Sequence, residues 1–423
     1  MNRLLATACA AWLAGVGVLA QSKVPGGASL KGGADVSGPY EVVPNWPQPF
    51  FAADVTWGRT SSVFAESPDR VFLLMSGLVP ASWRQMQGVL KEGARQGGPG
   101  WGPQTRRIDD ETHCASSRAA ETVWKDRKQH LFPWYCRIGP DGKIVDGIVE
   151  FYTGEPIQGA RWDHVVTIYN REGKLIDSWD QWNHVFSHPH FIMISPYDPD
   201  KHVWIVDSGA NQVFKFTNDG KKLVMTVGEA HVPGSDRTHF RTPTNLAFLP
   251  NGDFYVSDGY DNTRVVKFSK DGKYLMEWGK PGKGPGEFNA LHSIAADAKG
   301  RVYVADRSNR RIQVFDANGK FLDQWPDIPF PNHIAIAKDQ HAWVVDGYAN
   351  KLLKFNLDGT LLYSFGTFGN APGYFWGTHY FHTDSEGNLY TADVFGARVQ
   401  KFRPRRGADS KSLIGPLASP GSL

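Results

Sequence analysis

The chain has 423 residues, a formal net charge of +3, and 41% hydrophobic and 21% charged residues, the composition of a globular protein with one large or two small domains. So small a net charge, with no dominant Lys/Arg cluster, argues against nucleic acid as a partner. Fifteen Trp and 45 Gly suit short strands and tight turns better than a helical bundle.

Residues 1–20 read as a secretory signal. Arg3 supplies the positive end, Leu4 to Leu19 is apolar, and Val18-Leu19-Ala20 precedes a cut at Gln21. The apolar run is shorter than the ~20 residues a span needs. The expectation is an exported chain, periplasmic or extracellular, with no membrane span after cleavage. Cys9 would leave with the signal. The remaining pair, Cys114 and Cys136, most simply makes one disulfide in an oxidising compartment, with two free thiols as the alternative. Residues 21–38 are small, polar and Gly-rich and are expected to be a flexible leader. Residues 404–423 have the same character and are expected to be a disordered tail.

Between them, over residues 39–403, lies a repeat. Five segments align: HVWIVDSGANQVFKF, DFYVSDGYDNTRVVKF, RVYVADRSNRRIQVF, HAWVVDGYANKLLKF and NLYTADVFGARVQKF. Each is a β-rich run ending in Asp, a short turn, and a second run ending in an aromatic. The aspartates are Asp207, Asp258, Asp306, Asp346 and Asp393, spaced by 51, 48, 40 and 47 residues. With a strand before and after each segment, this is the period of four-stranded propeller blades. A degenerate first copy, SSVFAESPDRVFLLMSG and HVVTIYNREGKLIDSW, is split by an insertion at about 77–160. The last copy lacks a fourth strand, and Tyr40-Glu-Val-Val is the candidate to close the ring. The expected fold is all-β, a six-bladed β-propeller.

Strands A to D of a blade run antiparallel from the axis outward, so the start of A and the end of B share one mouth. Counting back fourteen residues from Asp258, Asp306, Asp346 and Asp393 gives Thr244, His292, Asn332 and His379. A short insertion moves the equivalent of blade two to His190. Histidine thus falls on alternate blades, about 120° apart in a six-bladed ring. Three imidazoles at that angle suit a zinc site with an open fourth position. The B–C turns bring Tyr260, Tyr348 and Arg307 to the same mouth, where a phenol can ionise and a guanidinium can hold a carboxylate. The insertion joins strands B and C of blade one and so lies over this mouth. With both cysteines and the polar stretch from Arg106 to His113, it reads either as a stapled lid above a small-molecule or peptide substrate or as a passive surface loop.

The run PGSDRTHFRTPTNLAF, followed by VSDGYDNTRVVKF, HSIAA and VADRSNRRIQVF, resembles the peptidyl-α-hydroxyglycine α-amidating lyases, a branch of the NHL-repeat propellers. The resemblance covers roughly residues 40 to 402. It implies a six-bladed propeller that splits peptidyl-α-hydroxyglycine into a peptide amide and glyoxylate. It implies zinc held by His190, His292 and His379, with Tyr260 as catalytic tyrosine and Arg307 as catalytic arginine. Three departures stand out. The family's arginine at the end of strand B in blade one is missing from Leu74-Met75-Ser76-Gly77, and Arg59 is the candidate substitute. The family's aspartate after the third histidine, which helps bind a structural calcium, is Tyr380 here, so calcium is not expected. Two family disulfides are replaced by Arg241 with Asp261 and by Tyr303 with Val314.

Two other readings compete with a lyase. One is a non-catalytic propeller that binds a protein, peptide or glycan at its mouth. The other is a six-bladed lactonase-type hydrolase, which would use calcium held by carboxylates and amides; the histidine-rich axis argues against it. No phosphate loop, nucleophile elbow or H-E-x-x-H occurs in a fitting context.

Overall fold

The alternating residues of each repeat pair into one four-stranded antiparallel sheet, and six such sheets form the ring. The computed structural model describes residues 36–82 and 160–417, together with the backbone of an antiparallel strand pair, Thr105–Ile108 and Gly147–Glu150. The innermost strands, A, of blades one to six are Thr60–Ser67, Pro189–Ile194, Pro243–Phe248, Leu291–Ala296, Pro331–Ile336 and Thr378–Thr383. The B strands are Arg70–Met75, Val203–Asp207, Phe254–Asp258, Val302–Asp306, Ala342–Asp346 and Leu389–Asp393. In blades two to six every residue of strand B is buried, whereas the outer strands of blades two and three, Leu223–Val227 and Tyr274–Trp278, expose alternate residues. The fold is therefore the expected six-bladed β-propeller.

Tyr40–Val42 closes the ring as the outer strand of blade six, with Tyr40 opposite Pro404 and Val42 opposite Phe402. Neighbouring blades interlock through aromatics, as where Trp204 of blade two meets Phe248 and Phe254 of blade three at 5.2 and 4.8 Å. The repeated aspartate fastens the mouth. Asp207 accepts backbone N–H bonds from Ser187 and His188 at 2.8 Å each, Asp258 from Arg241 at 2.8 Å, and Asp306 from Asn289 at 2.7 Å. In blades three, four and six an arginine opening the next strand clasps the same carboxylate: Arg264, Arg311 and Arg398, at 2.8 to 2.9 Å. In blades two to four the loop entering strand A is thus tied to the end of its own strand B.

Of the tail expected to be disordered, residues 404–417 are placed against the blades, and residues 418–423 lie outside the described residues. Residues 404–417 leave blade six, pass through a short 3-10 turn at Ser410–Ser412, and bury Ile414 and Leu417 against blades five and six. Ile414 donates its N–H to the Tyr40 hydroxyl at 2.9 Å, and Leu417 bridges Ala337. Polar composition concealed two apolar anchors. The insertion starts as a buried strand, Leu78–Pro80, paired with Val55–Trp57, and the chain returns where Arg161 pairs with Leu78. The side chains of residues 83–159, Cys114 and Cys136 included, and the signal and most of the leader lie outside the described residues. Among those described, no helix is long and apolar enough to cross a membrane.

Candidate metal centre

Every strand A carries a β-bulge at its second residue. The register skips one residue in each blade: Ser61, His190, Thr244, His292, Asn332 and His379. A bulge leaves the extra residue out of the ladder and re-aims its side chain. Six bulges therefore build a ring of six buried residues around the axis, none more than 3% exposed. Histidine occupies three alternate places.

The ring fixes the orientation of each imidazole. His190 Nδ1 donates to the Thr244 carbonyl at 2.7 Å, His292 Nδ1 to the Asn332 carbonyl at 2.6 Å, and His379 Nδ1 to the Ser61 carbonyl at 2.8 Å. Each histidine thus binds the bulge carbonyl of the next blade, which the bulge itself has left unpaired. The other three members brace the frame. Thr244 Oγ1 donates to the Leu291 carbonyl at 3.0 Å, Asn332 Nδ2 to the Thr378 carbonyl at 3.0 Å, and Ser61 Oγ to the Leu74 carbonyl at 3.2 Å.

With the single proton of each neutral ring assigned to Nδ1 by this bonding, all three Nε2 lone pairs converge on the axis. The three ligand nitrogens lie within 4.8 Å of one another, and those of His292 and His379 are 2.9 Å apart. The Tyr260 hydroxyl stands 2.9 Å from His190 Nε2 and 2.8 Å from His292 Nε2. It has one proton to give, so the cluster holds more lone pairs than donors. A cation satisfies that arrangement. A tetrahedral zinc at ~2.0–2.1 Å from each nitrogen holds them roughly 3.3 Å apart, a small outward adjustment for the closest pair. Burial, aided by the charge of Arg59 on His190 and His379 and of Arg307 on His292, holds all three imidazoles well below the usual histidine range. They stay neutral, as ligands must. The residues present fit a zinc ion with an open position towards the mouth.

The structure brings Tyr260, Arg307 and Arg59 to this cluster and leaves Tyr348 outside it, 56% exposed. Gly259 explains how Tyr260 arrives: a Cβ there would collide with the Leu291 carbonyl at the entry to blade four. Arg307 is buried, its guanidinium 5.0 Å from the Tyr260 ring centre and 4.6 Å from that of Phe330. Arg59, also buried, donates from Nη1 to His188 Nε2 at 2.5 Å.

Two residues with no place in the sequence-derived site belong to it. His188 orients Arg59. Tyr380, fully buried, forms the floor: its hydroxyl lies 3.2 Å from the Thr244 carbonyl, 3.1 Å from the His292 carbonyl and 3.2 Å from His190 Nδ1. It follows the bulge residue His379 directly, and no sequence signal marks it, because a bulge is set by pairing between strands. A second cluster, Asp198, Asp200 and His202, lies at the surface, where Lys215 Nζ is 3.7 Å from Asp198.

A family model described as DUF5128, a 6-bladed β-propeller, matches residues 234–357. Peptidyl-glycine α-amidating monooxygenase B of Xenopus laevis is 31% identical over 277 residues, covering 61% of this chain and 30% of that protein. A probable peptidyl-α-hydroxyglycine α-amidating lyase of Caenorhabditis elegans is 37% identical over 155 residues, 36% of this chain and 43% of its own. The likeness to the amidating lyases holds. Human NHL repeat-containing protein 3 is similar too, 34% identical over 178 residues, 40% of this chain and 50% of that protein. The chain thus spans half or less of the length of these three relatives.

Proposed function

We propose that the chain is a zinc-dependent lyase that cleaves the carbon–nitrogen bond of an α-hydroxyglycine-type substrate, giving an amide and glyoxylate. The observation that carries this reading is the convergence of three neutral imidazole nitrogens on one point beside the Tyr260 hydroxyl. Relatives named as amidating lyases support the choice of reaction. When bound, zinc would supply Lewis acidity that eases loss of the substrate's hydroxyl proton.

The chain's residues would do the rest. Arg307, set against the rings of Tyr260 and Phe330, would present its fork to the substrate carboxylate. Arg59, held by His188, adds a second positive group at the same buried place. For this step Tyr260 would stand as its phenolate, its own proton lost beforehand to solvent as neighbouring positive charge favours, and would take the substrate's hydroxyl proton as general base. The C–N bond then breaks, its electrons go to the amide nitrogen, and the former hydroxyl becomes the glyoxylate carbonyl. The proton held by Tyr260 returns to that nitrogen, so the step needs no co-reactant.

The competing reading is a binding propeller, favoured by the likeness to an NHL repeat-containing protein and by Leu74-Met75-Ser76-Gly77 in place of the family's arginine. Incubation of zinc-loaded protein with an acyl-α-hydroxyglycine separates the two. Glyoxylate released in proportion to zinc content supports the lyase. Binding without release supports the alternative.

A further inference from the structure

Behind the metal centre the axial channel contains a second chamber of about 120 Å³. Tyr380 divides the two. Its hydroxyl meets the bulge carbonyls on the front side, and its ring packs on Phe191 and His333 of the rear wall at 4.9 and 4.8 Å.

The rear space follows from the register. Three residues beyond the bulge, blades six, one and two place His382, Phe64 and Met193, while blades three, four and five place Ala247, Ala295 and Ala335. All six line the chamber. Three large side chains oppose three small ones, and the missing volume on the alanine side is the cavity.

The polar groups at its wall are few. No Asp, Glu, Lys or Arg lines it, so neither a metal ion nor a charged ligand finds a counter-charge. His382 Nδ1 accepts the Ala65 N–H at 3.3 Å, which leaves the ring proton on Nε2. Ser293 Oγ lies 3.3 Å from the Ile334 N–H that it accepts and 3.0 Å from His333 Nδ1. The Ser293–His333 bond can run in either direction, so His333 Nε2 presents either a proton or a lone pair. Among the described residues neither Nε2 makes a hydrogen bond of good geometry, the Thr383 backbone being the polar group closest to the His382 ring. The fully buried Asn245 amide lies against the Tyr380 hydroxyl and, among the described residues, makes no other hydrogen bond. The wall thus offers donors to an occupant that is otherwise met by hydrocarbon.

We propose that this rear chamber is a second binding site, for an uncharged, mainly apolar molecule of single-ring size that carries one hydrogen-bond acceptor. An aliphatic and aromatic cavity of about 150 Å³ accommodates benzene; at about 120 Å³ this chamber is of the same order and limits an occupant to a single ring. The site is separate from the metal centre and does not depend on its chemistry.

Acetophenone and benzene are suitable probes, titrated into zinc-loaded protein and followed by calorimetry or ligand-observed NMR. The expected result is saturable binding of one acetophenone per chain. Ala335→Leu, which fills the chamber, weakens it at least about tenfold with zinc content unchanged. Ala247→Leu, on another blade, does the same if the first variant does not fold. His382→Phe weakens acetophenone about tenfold, the loss of one hydrogen bond of about 1.4 kcal/mol, and leaves benzene unaffected. The proposal is overturned if neither probe binds, the chamber then holding only water. It is also overturned if both leucine variants bind acetophenone as the wild type does, or if removing zinc abolishes binding.

Discussion

His382 lies against Phe64, ring centroids 4.2 Å apart, and accepts the Ala65 N–H. Burial lowers its pKa to about 3. In the unfolded chain the same imidazole titrates near 6.5. Between those values the unfolded state binds a proton that the folded state refuses. His382 therefore contributes fully to stability above pH ~6.5, and the contribution is lost as pH falls towards 3. At pH 5, about 1.5 pH units below the unfolded value, the loss is ~2 kcal/mol. Phenylalanine preserves the ring and removes the titration. The assay is urea unfolding of EDTA-treated wild type and His382→Phe at pH 8 and pH 5. The wild type should lose ~2 kcal/mol more than the variant over that interval. Comparing the two proteins cancels the buried aspartates, such as Asp258, which burial pushes up to about 6 and which acts with the opposite sign. The lost Ala65 hydrogen bond acts at both pH values and cancels as well. Equal losses in the two proteins would refute the reasoning.

Tyr260→Phe should retain zinc and lose glyoxylate release by at least about a hundredfold, the lower end for removing a general base; unchanged release would remove Tyr260 from the mechanism. Arg59→Gln should raise KM for an acyl-α-hydroxyglycine by about tenfold or more, as expected for one charge-assisted contact; steady-state kinetics read it directly. Leu417→Ala should cost ~2–3 kcal/mol in urea unfolding, because Leu417 is only 6% exposed in the blade five–six core. An unchanged midpoint would show that the C-terminal segment is not docked.

The ring was legible because each blade must end strand B at the same mouth, and the aspartate that ties down the entering loop repeats with the blade. The same periodicity led from Asp258, Asp306, Asp346 and Asp393 to the bulge residues, though not to the bulges themselves. A bulge is set by hydrogen bonding between strands, and no single residue type marks it. For that reason Tyr380, one residue past His379, registered only as a missing aspartate, whereas in the fold it closes the floor of the metal chamber. His188 was hidden for a different reason: its partner Arg59 is 129 residues away in the chain, a pairing no local pattern encodes. The tail was misread because Ile414 and Leu417 are isolated apolar residues in a polar run, and what buries them is the surface of blades five and six. Tyr303 and Val314, where the family carries a disulfide, are direct cross-strand partners in blade four. Packing of a buried Tyr on a Val stands where a covalent link would otherwise be.

Metal content tests the central claim most directly. Elemental analysis of purified protein, beside the His190→Ala, His292→Ala, His379→Ala triple variant, should find about one zinc per chain in the wild type and none in the variant. A folded wild type that holds no zinc and takes none up on addition would contradict the account.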